Sequence, residues 1–368
     1  MNEQPTSPQY SGANVRGVVP ALLAPRGVPL PGWMPAVAGA PQRVLLVVDG
    51  LGWEQLQDRL ALAPTMASME GLPITTVAPS TTATALTSIA TGLTPGEHGL
   101  IGYRFDVGGD IMNVLRWHGE SRDLRRAFPP RDMQPFVPFL GETPPVITKG
   151  ELQGSGFTDA HLRGTKMVGW RSSSAIAVEI GHQLAAGERF VYAYYDGIDK
   201  TAHERGFGDY YDAELVDVDR LVGDVLAAMP ADTVLLITAD HGQVQVGDNI
   251  VHPDAGVLSM VRIQSGEGRF RWLHAKPGAR RDLLEACKQA HGAEAWVVTR
   301  DQVIDEGWFG PAVSAPVAGR LGDVALVARA PISFFDPADS GPYELVCRHG
   351  SLTRAEMLVP LLASAGRR

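Results

Sequence analysis

The chain has 368 residues, 45% of them apolar and 20% charged, enough to bury one large core with an added lobe; disordered and fibrous classes are excluded. A formal net charge of -9 excludes a nucleic-acid groove, because tracking a phosphate backbone needs a basic stripe that no segment supplies. A small anionic substrate stays compatible with this charge, since bound cations reverse the local field.

Residues 1–42 are rich in proline and glycine and read as an arm packed on the domain, without regular structure. Pro20 and Pro25 interrupt the first apolar run, so it lacks a signal-peptide core. No stretch approaches the roughly 18 apolar residues of a membrane span. The expected location is cytoplasmic, with Cys287 and Cys347 reduced.

Residues 43–49 (RVLLVVD) form a continuous aliphatic run of the kind that fills a buried parallel strand. Residues 78–100 are dense in small residues and hydroxyls. They read as a turn followed by a helix over 82–91, closed by Gly92 with Pro95 beyond. Residues of about 104–175 and 250–340 have weaker patterns and read as pocket-forming insertions, the second with a helix near 281–291. Between them, 190–196 (FVYAYYD) and 233–239 (TVLLITA) flank a helical stretch over 213–229, which is a βαβ unit. The expected fold is an α/β three-layer αβα sandwich with a mostly parallel central sheet and inserted cap segments, its catalytic domain spanning 43–368.

In such sheets ligands collect at the carboxyl ends of the strands. Asp49, Asp199 and Asp240 lie at or just past those ends, and Thr82, His203, His241 and His349 occupy turns or helix starts. Carboxylate, imidazole and one hydroxyl are the donor set of a two-metal hydrolase, whose cations sit about 4 Å apart. Each residue also has a plainer explanation. Ser80, Thr81 and Thr82 suit helix capping, although a helix start also offers free amides to a phosphate. Asp199 and His203, four apart, share one side of a helical turn; Asp196 competes for the same role. Two ionisable groups ending a buried strand, Asp240 and His241, are costly without a counter-charge. His349 equally suits a loop. Of the other histidines, His98 lies near enough to the 82–91 helix to support the site indirectly.

Taken in order, residues 47–51 (VVDGL), 79–82 (PSTT), 91–99 (TGLTPGEHG), 199–203 (DKTAH), 239–242 (ADHG) and 349–350 (HG) resemble the alkaline phosphatase superfamily. The closest resemblance is to its nucleotide pyrophosphatase/phosphodiesterase branch. That resemblance implies two divalent metal ions, zinc first and manganese as a substitute. One is held by Asp49, Thr82, Asp240 and His241, the other by Asp199, His203 and His349. It further implies a phosphodiesterase or nucleotide pyrophosphatase that attacks in line through Thr82, by way of a phospho-threonine, on a small phosphorylated substrate such as a nucleotide. One position departs from the branch: its asparagine donor to phosphate oxygen is replaced by Tyr103, with Arg104 alongside. A phosphomonoesterase is the alternative and needs a cationic clamp, for which Lys149, Arg163 and Lys166 are the candidates. A sulfatase is disfavoured, since residues 79–85 lack its nucleophile context. A non-catalytic metal-binding regulatory module is the reading from another class.

Overall fold

The computed structural model describes residues 4–25, 27–339 and 344–368; the remainder of the expected arm and second insertion lies outside the described residues. Eight strands carry the frame and the site: β1 (Gln42–Val48), β2 (Glu70–Thr75), β3 (Arg104–Val107), β4 (Asp110–Asn113), β5 (Pro145–Lys149), β6 (Lys166–Trp170), β7 (Phe190–Tyr195) and β8 (Thr233–Thr238). With the C-terminal strand Leu358–Ala365, six of them build a seven-stranded sheet in the order β2, C-terminal strand, β8, β1, β7, β5, β6. Five neighbours, β8 to β6, run parallel, while the C-terminal strand is antiparallel to both β8 and β2.

The interiors of β1, β7 and β8 are buried throughout, as their unbroken apolar runs require of strands covered on both faces. Side chains alternate across a strand, and β7 shows both layers at once. Tyr195 donates to Glu214 of the helix Asp209–Ala228 on one face, whereas Tyr192 and Tyr194 face the helix Thr82–Thr91 across a cavity on the other. This is an αβα sandwich, as expected.

Residues 250–340 supply a separate four-stranded antiparallel sheet, Val261–Glu267, Phe270–Ala275, Val324–Ala328 and Ala295–Thr299 in spatial order, covered by the helix Arg280–His291. Arg269 anchors this lobe with a two-pronged ion pair to Glu356, 2.7 and 2.9 Å, both side chains being fully buried. Removing one partner of such a pair leaves a buried charge uncompensated. Arg269→Met is therefore expected to cost about 3–5 kcal/mol, read as a lower urea midpoint. An unchanged midpoint would mean that Ser351 N, 2.9 Å from Glu356, and Thr353 already satisfy the carboxylate.

Two sequence expectations are corrected. The segment 104–175 is not wholly an insertion, because β5 and β6 within it complete one edge of the central sheet. They are short, β5 opens on Pro144 and Pro145, and β6 is an edge strand whose partial exposure breaks the apolar pattern. The arm also contains a helix, Val18–Leu23, with Val18, Val19, Ala21 and Leu22 buried. Pro20 sits in its first turn, where a missing N–H costs nothing.

Cys287 and Cys347 are buried and unpaired. Among the described residues no helix is long and apolar enough to cross a membrane.

Candidate active site

Each element ends where a functional side chain is needed. Asp49 follows β1, its amide bonding Tyr195 O of β7 at 2.8 Å. Asp240 and His241 follow β8. Asp199 and His203 lie one turn apart on the helix Gly197–Arg205, which starts directly after β7. His349 arrives from far along the chain: the strand Cys347–Arg348 pairs antiparallel with Val244–Gln245, just beyond His241, and stacks the two imidazoles 3.6 Å apart. Thr82 opens the helix Thr82–Thr91, whose N-terminus carries no side-chain cap. All seven residues thus meet at the carboxyl ends of the parallel strands.

The donor atoms converge in two groups. Asp49, Asp240 and His241 present ligand atoms within 4.8 Å of one another, and so do Asp199, His241 and His349. His241 Nε2 lies 3.5 Å from Asp49 Oδ1, 3.5 Å from Asp240 Oδ2 and 3.2 Å from Thr82 Oγ1. Asp199 Oδ1 lies 3.2 Å from His203 Nε2 and 4.0 Å from His349 Nε2. Each imidazole sets its Nδ1 against a backbone carbonyl: His241 on Gly242 O, His203 on Cys347 O and His349 on Ser80 O. A carbonyl only accepts, so Nδ1 carries the proton and Nε2 turns its lone pair inward, the usual arrangement of a metal-binding histidine.

Electrostatics favour a cation here. Burial, then the charges of Asp240 and Asp199, hold the Asp49 carboxyl well above the usual range. Asp240 is raised chiefly by burial, against the partial relief of His241. Asp199 goes the other way: burial would raise it, but His203, with His349 and His241 behind it, holds it below the usual range. Burial, then His241 and His203, keep His349 well below the usual imidazole value. Asp49 Oδ1 and Asp240 Oδ2 are buried with no hydrogen-bond partner, and an orphaned pair of carboxylate oxygens fits a divalent metal.

The competing candidates separate cleanly. Asp196 is held by two ammonium groups, Lys149 and Lys200, each at 2.7 Å, leaving the inward position to Asp199. Thr81 is buried, while Thr82 is partly open to a cavity of about 260 Å³. Tyr103 is not brought to this cavity; it lines another cleft with Arg104, its hydroxyl accepts from Asn113 at 2.6 Å, and Arg104 pairs with Asp336. A phenol is longer than the amide it replaces, and the β3–β4 hairpin carries it sideways onto Asn113. Nor does His98 touch the ligands: it bonds Ser88 and the Leu100 amide, and burial, with Arg320 nearby, pushes it down to about 3. Residues missed in the sequence complete the site. Tyr194 donates to Asp49, Gln243 donates to Asp199 Oδ1 at 2.8 Å, and the Gly50 amide donates to Asp240. The signals were adjacency of Gln243 to the Asp-His pair and the alternating tyrosines of β7.

The model of the type I phosphodiesterase/nucleotide pyrophosphatase family matches residues 43–183 and 175–352. The chain belongs to that family. It is accordingly a phosphoric ester hydrolase of the alkaline phosphatase superfamily, and the non-catalytic reading falls. The family is metal-dependent, in keeping with the two clusters. Solved structures agree on the fold. Human ectonucleotide pyrophosphatase/phosphodiesterase 5 aligns at 17% identity and a TM-score of 0.65, covering 88% of this chain and 87% of that one. An inactive murine form in complex with AMP aligns at 15% and 0.66, with the same coverage. Phosphonoacetate hydrolase from Sinorhizobium meliloti 1021, in complex with phosphonoacetate, aligns at 16% and 0.63, covering 88% and 90%. Comparison with curated proteins yields no match.

Proposed function

We propose that this family member hydrolyses a phosphodiester or pyrophosphate bond in a small phosphorylated substrate, such as a nucleotide, with Thr82 as nucleophile. Two divalent ions serve the reaction, zinc in preference to manganese. Asp49, Thr82, Asp240 and His241 would hold one, and Asp199, His203 and His349 the other. The single observation that carries this reading is the Thr82 hydroxyl, open to the cavity at an uncapped helix start, beside two orphaned buried carboxylate oxygens.

When bound, the ions supply the positive charge that lowers the cost of ionising a hydroxyl and of charge building on the leaving oxygen. The chain supplies position. Tyr194 and Gln243 fix the Asp49 and Asp199 carboxylates, and the backbone carbonyls on each Nδ1 fix the imidazoles. The first-turn amides of Thr82–Thr91 face the phosphate with the positive end of the helix dipole. The bond from Thr82 Oγ1 to phosphorus forms as the ester or anhydride bond to the leaving oxygen breaks; the hydroxyl proton of Thr82 passes to solvent water, and the leaving oxygen takes up a proton from water. Water then cleaves the phospho-threonine, restoring the Thr82 hydroxyl.

The monoesterase alternative has less to stand on. Arg163 donates to the Gln134 and Ala160 carbonyls, Lys166 pairs with Glu188, and Lys149 is bound to Asp196. Binding of a nucleic-acid polymer is not expected at this net charge. A cytoplasmic location is part of the same proposal, supported by the two free thiols. The test compares bis(p-nitrophenyl) phosphate with p-nitrophenyl phosphate on zinc-loaded protein, with a chelated control. A chelator-sensitive preference for the diester is expected; faster turnover of the monoester would overturn it.

A further inference from the structure

The arm ahead of β1 grips the nucleophile segment from outside. β2 is an edge strand of the central sheet, and it leads into the connector 76–81, which ends at Thr82. The outer edge of β2 is closed by the arm: Asn14 forms a parallel bridge with Thr75, whose amide donates to Ala13 O at 3.0 Å. The Thr75 hydroxyl is engaged by the same stretch. It accepts from the Gln9 amide at 2.9 Å and from Asn14 Nδ2 at 3.0 Å, and donates to Ala13 O at 3.1 Å.

Asn14 is the centre of these contacts. It is fully buried, and both polar atoms of its side chain are used: Nδ2 donates to Thr75 Oγ1 and, at 2.9 Å, to Thr76 O, while Oδ1 accepts from the Arg16 amide at 3.1 Å. On its other side the connector meets the metal-type ligands. The Thr76 hydroxyl donates to the Asp240 carbonyl, and Ser80 O accepts from His349 Nδ1 at 2.9 Å. Ser80 is tied further by its hydroxyl, which donates to Ser351 O and accepts from the Gly350 amide. Thr82 thus ends a connector held from inside by the ligand loops and from outside by the arm. In-line attack is sensitive to that hold, since a misplacement of about 1 Å costs on the order of a hundredfold in rate.

We infer that the arm is a clamp on the nucleophile connector and that Asn14 is a positioning residue, setting Thr82 against Asp240 and His349 by way of Thr75 and Thr76 without touching substrate. The inference rests on Thr82 being the nucleophile, and its test includes a readout that needs no turnover, so that the two fail separately.

Two variants of zinc-loaded protein test it. Asn14→Ser removes the two donated bonds but keeps an oxygen to cap the Arg16 amide; Asn14→Asp keeps shape and cap while replacing the donor by an acceptor, so misfolding of one leaves the other. With zinc content unchanged, kcat on bis(p-nitrophenyl) phosphate should fall roughly ten- to a hundredfold, at a KM within about twofold of the parent. Hydrogen exchange on the same preparations should show the amides of 75–84 exchanging about fivefold or more faster. Asp219→Ala gives the comparison. It uncaps the short helix Pro64–Ala67 ahead of β2, where Asp219 accepts from the Thr65 and Met66 amides at 3.0 and 2.8 Å, and leaves the arm's contacts with Thr75 and Thr76 in place. It should lower the unfolding temperature as Asn14→Ser does, yet keep kcat within about twofold. An equal kcat loss in Asp219→Ala, an unchanged kcat in the Asn14 variants, or unchanged exchange at 75–84 would overturn the inference. Absence of diester turnover in the parent would instead sink the phosphodiesterase reading, and the exchange rates would then decide the clamp by themselves.

Discussion

Thr82→Ala is expected to bind its metals and unfold at the parent temperature while losing diester turnover by on the order of a thousandfold or more. The loss is large because the hydroxyl is the attacking group, and no neighbour replaces it. Thr81 is buried against Glu267, and the Ser80 hydroxyl donates to Ser351 O at 2.6 Å, so neither is free to take over. Stability should hold, since alanine is the better helix former at a first-turn position whose side chain provides no cap. Single-turnover kinetics, metal analysis and thermal unfolding on the same preparation check this together. Comparable loss in Thr81→Ala with Thr82→Ala active would move the nucleophile by one residue.

Asp199→Ala is expected to lose about one metal equivalent per chain, and most of the activity with it. Asp199 supplies the one carboxylate of the described group Asp199, His241 and His349, and the alanine would leave only neutral imidazoles to hold that ion. Asp196→Asn is the informative contrast. It releases Lys149 and Lys200 and removes a charge from the cavity wall, but keeps both metals, because Asp196 is spent on those two ammonium groups. Metal content after exhaustive dialysis separates the two carboxylates. An Asp199→Ala protein with its full metal complement would exchange their roles.

The segments differ in how far their structure is legible in the sequence. The runs at 43–49, 190–196 and 233–239 announced three adjacent parallel strands, because a strand covered on both faces has to be apolar at every position. By contrast, β5 and β6 were illegible: short, proline-flanked and at the sheet edge, they carry a pattern set by their neighbours and not by the strand itself. Tyr103 occupies the place of the family's asparagine along the chain, but position along a chain says nothing about a hairpin that turns the residue aside onto Asn113.

By itself, the sequence determined which side chains could serve and where along each strand they emerge: Asp49, Asp199, Asp240 and their histidines follow the ends of buried runs. Local rules suffice for that, since strand burial and helix starts act within a few residues. Tertiary structure alone decided that His349 stacks on His241 and that Lys149, at the end of β5, takes Asp196 while leaving Asp199 to the histidines. These outcomes depend on segments tens to more than a hundred residues apart. Their contacts are fixed by sheet register and by packing of the lobe, and neither leaves a periodic trace in the sequence.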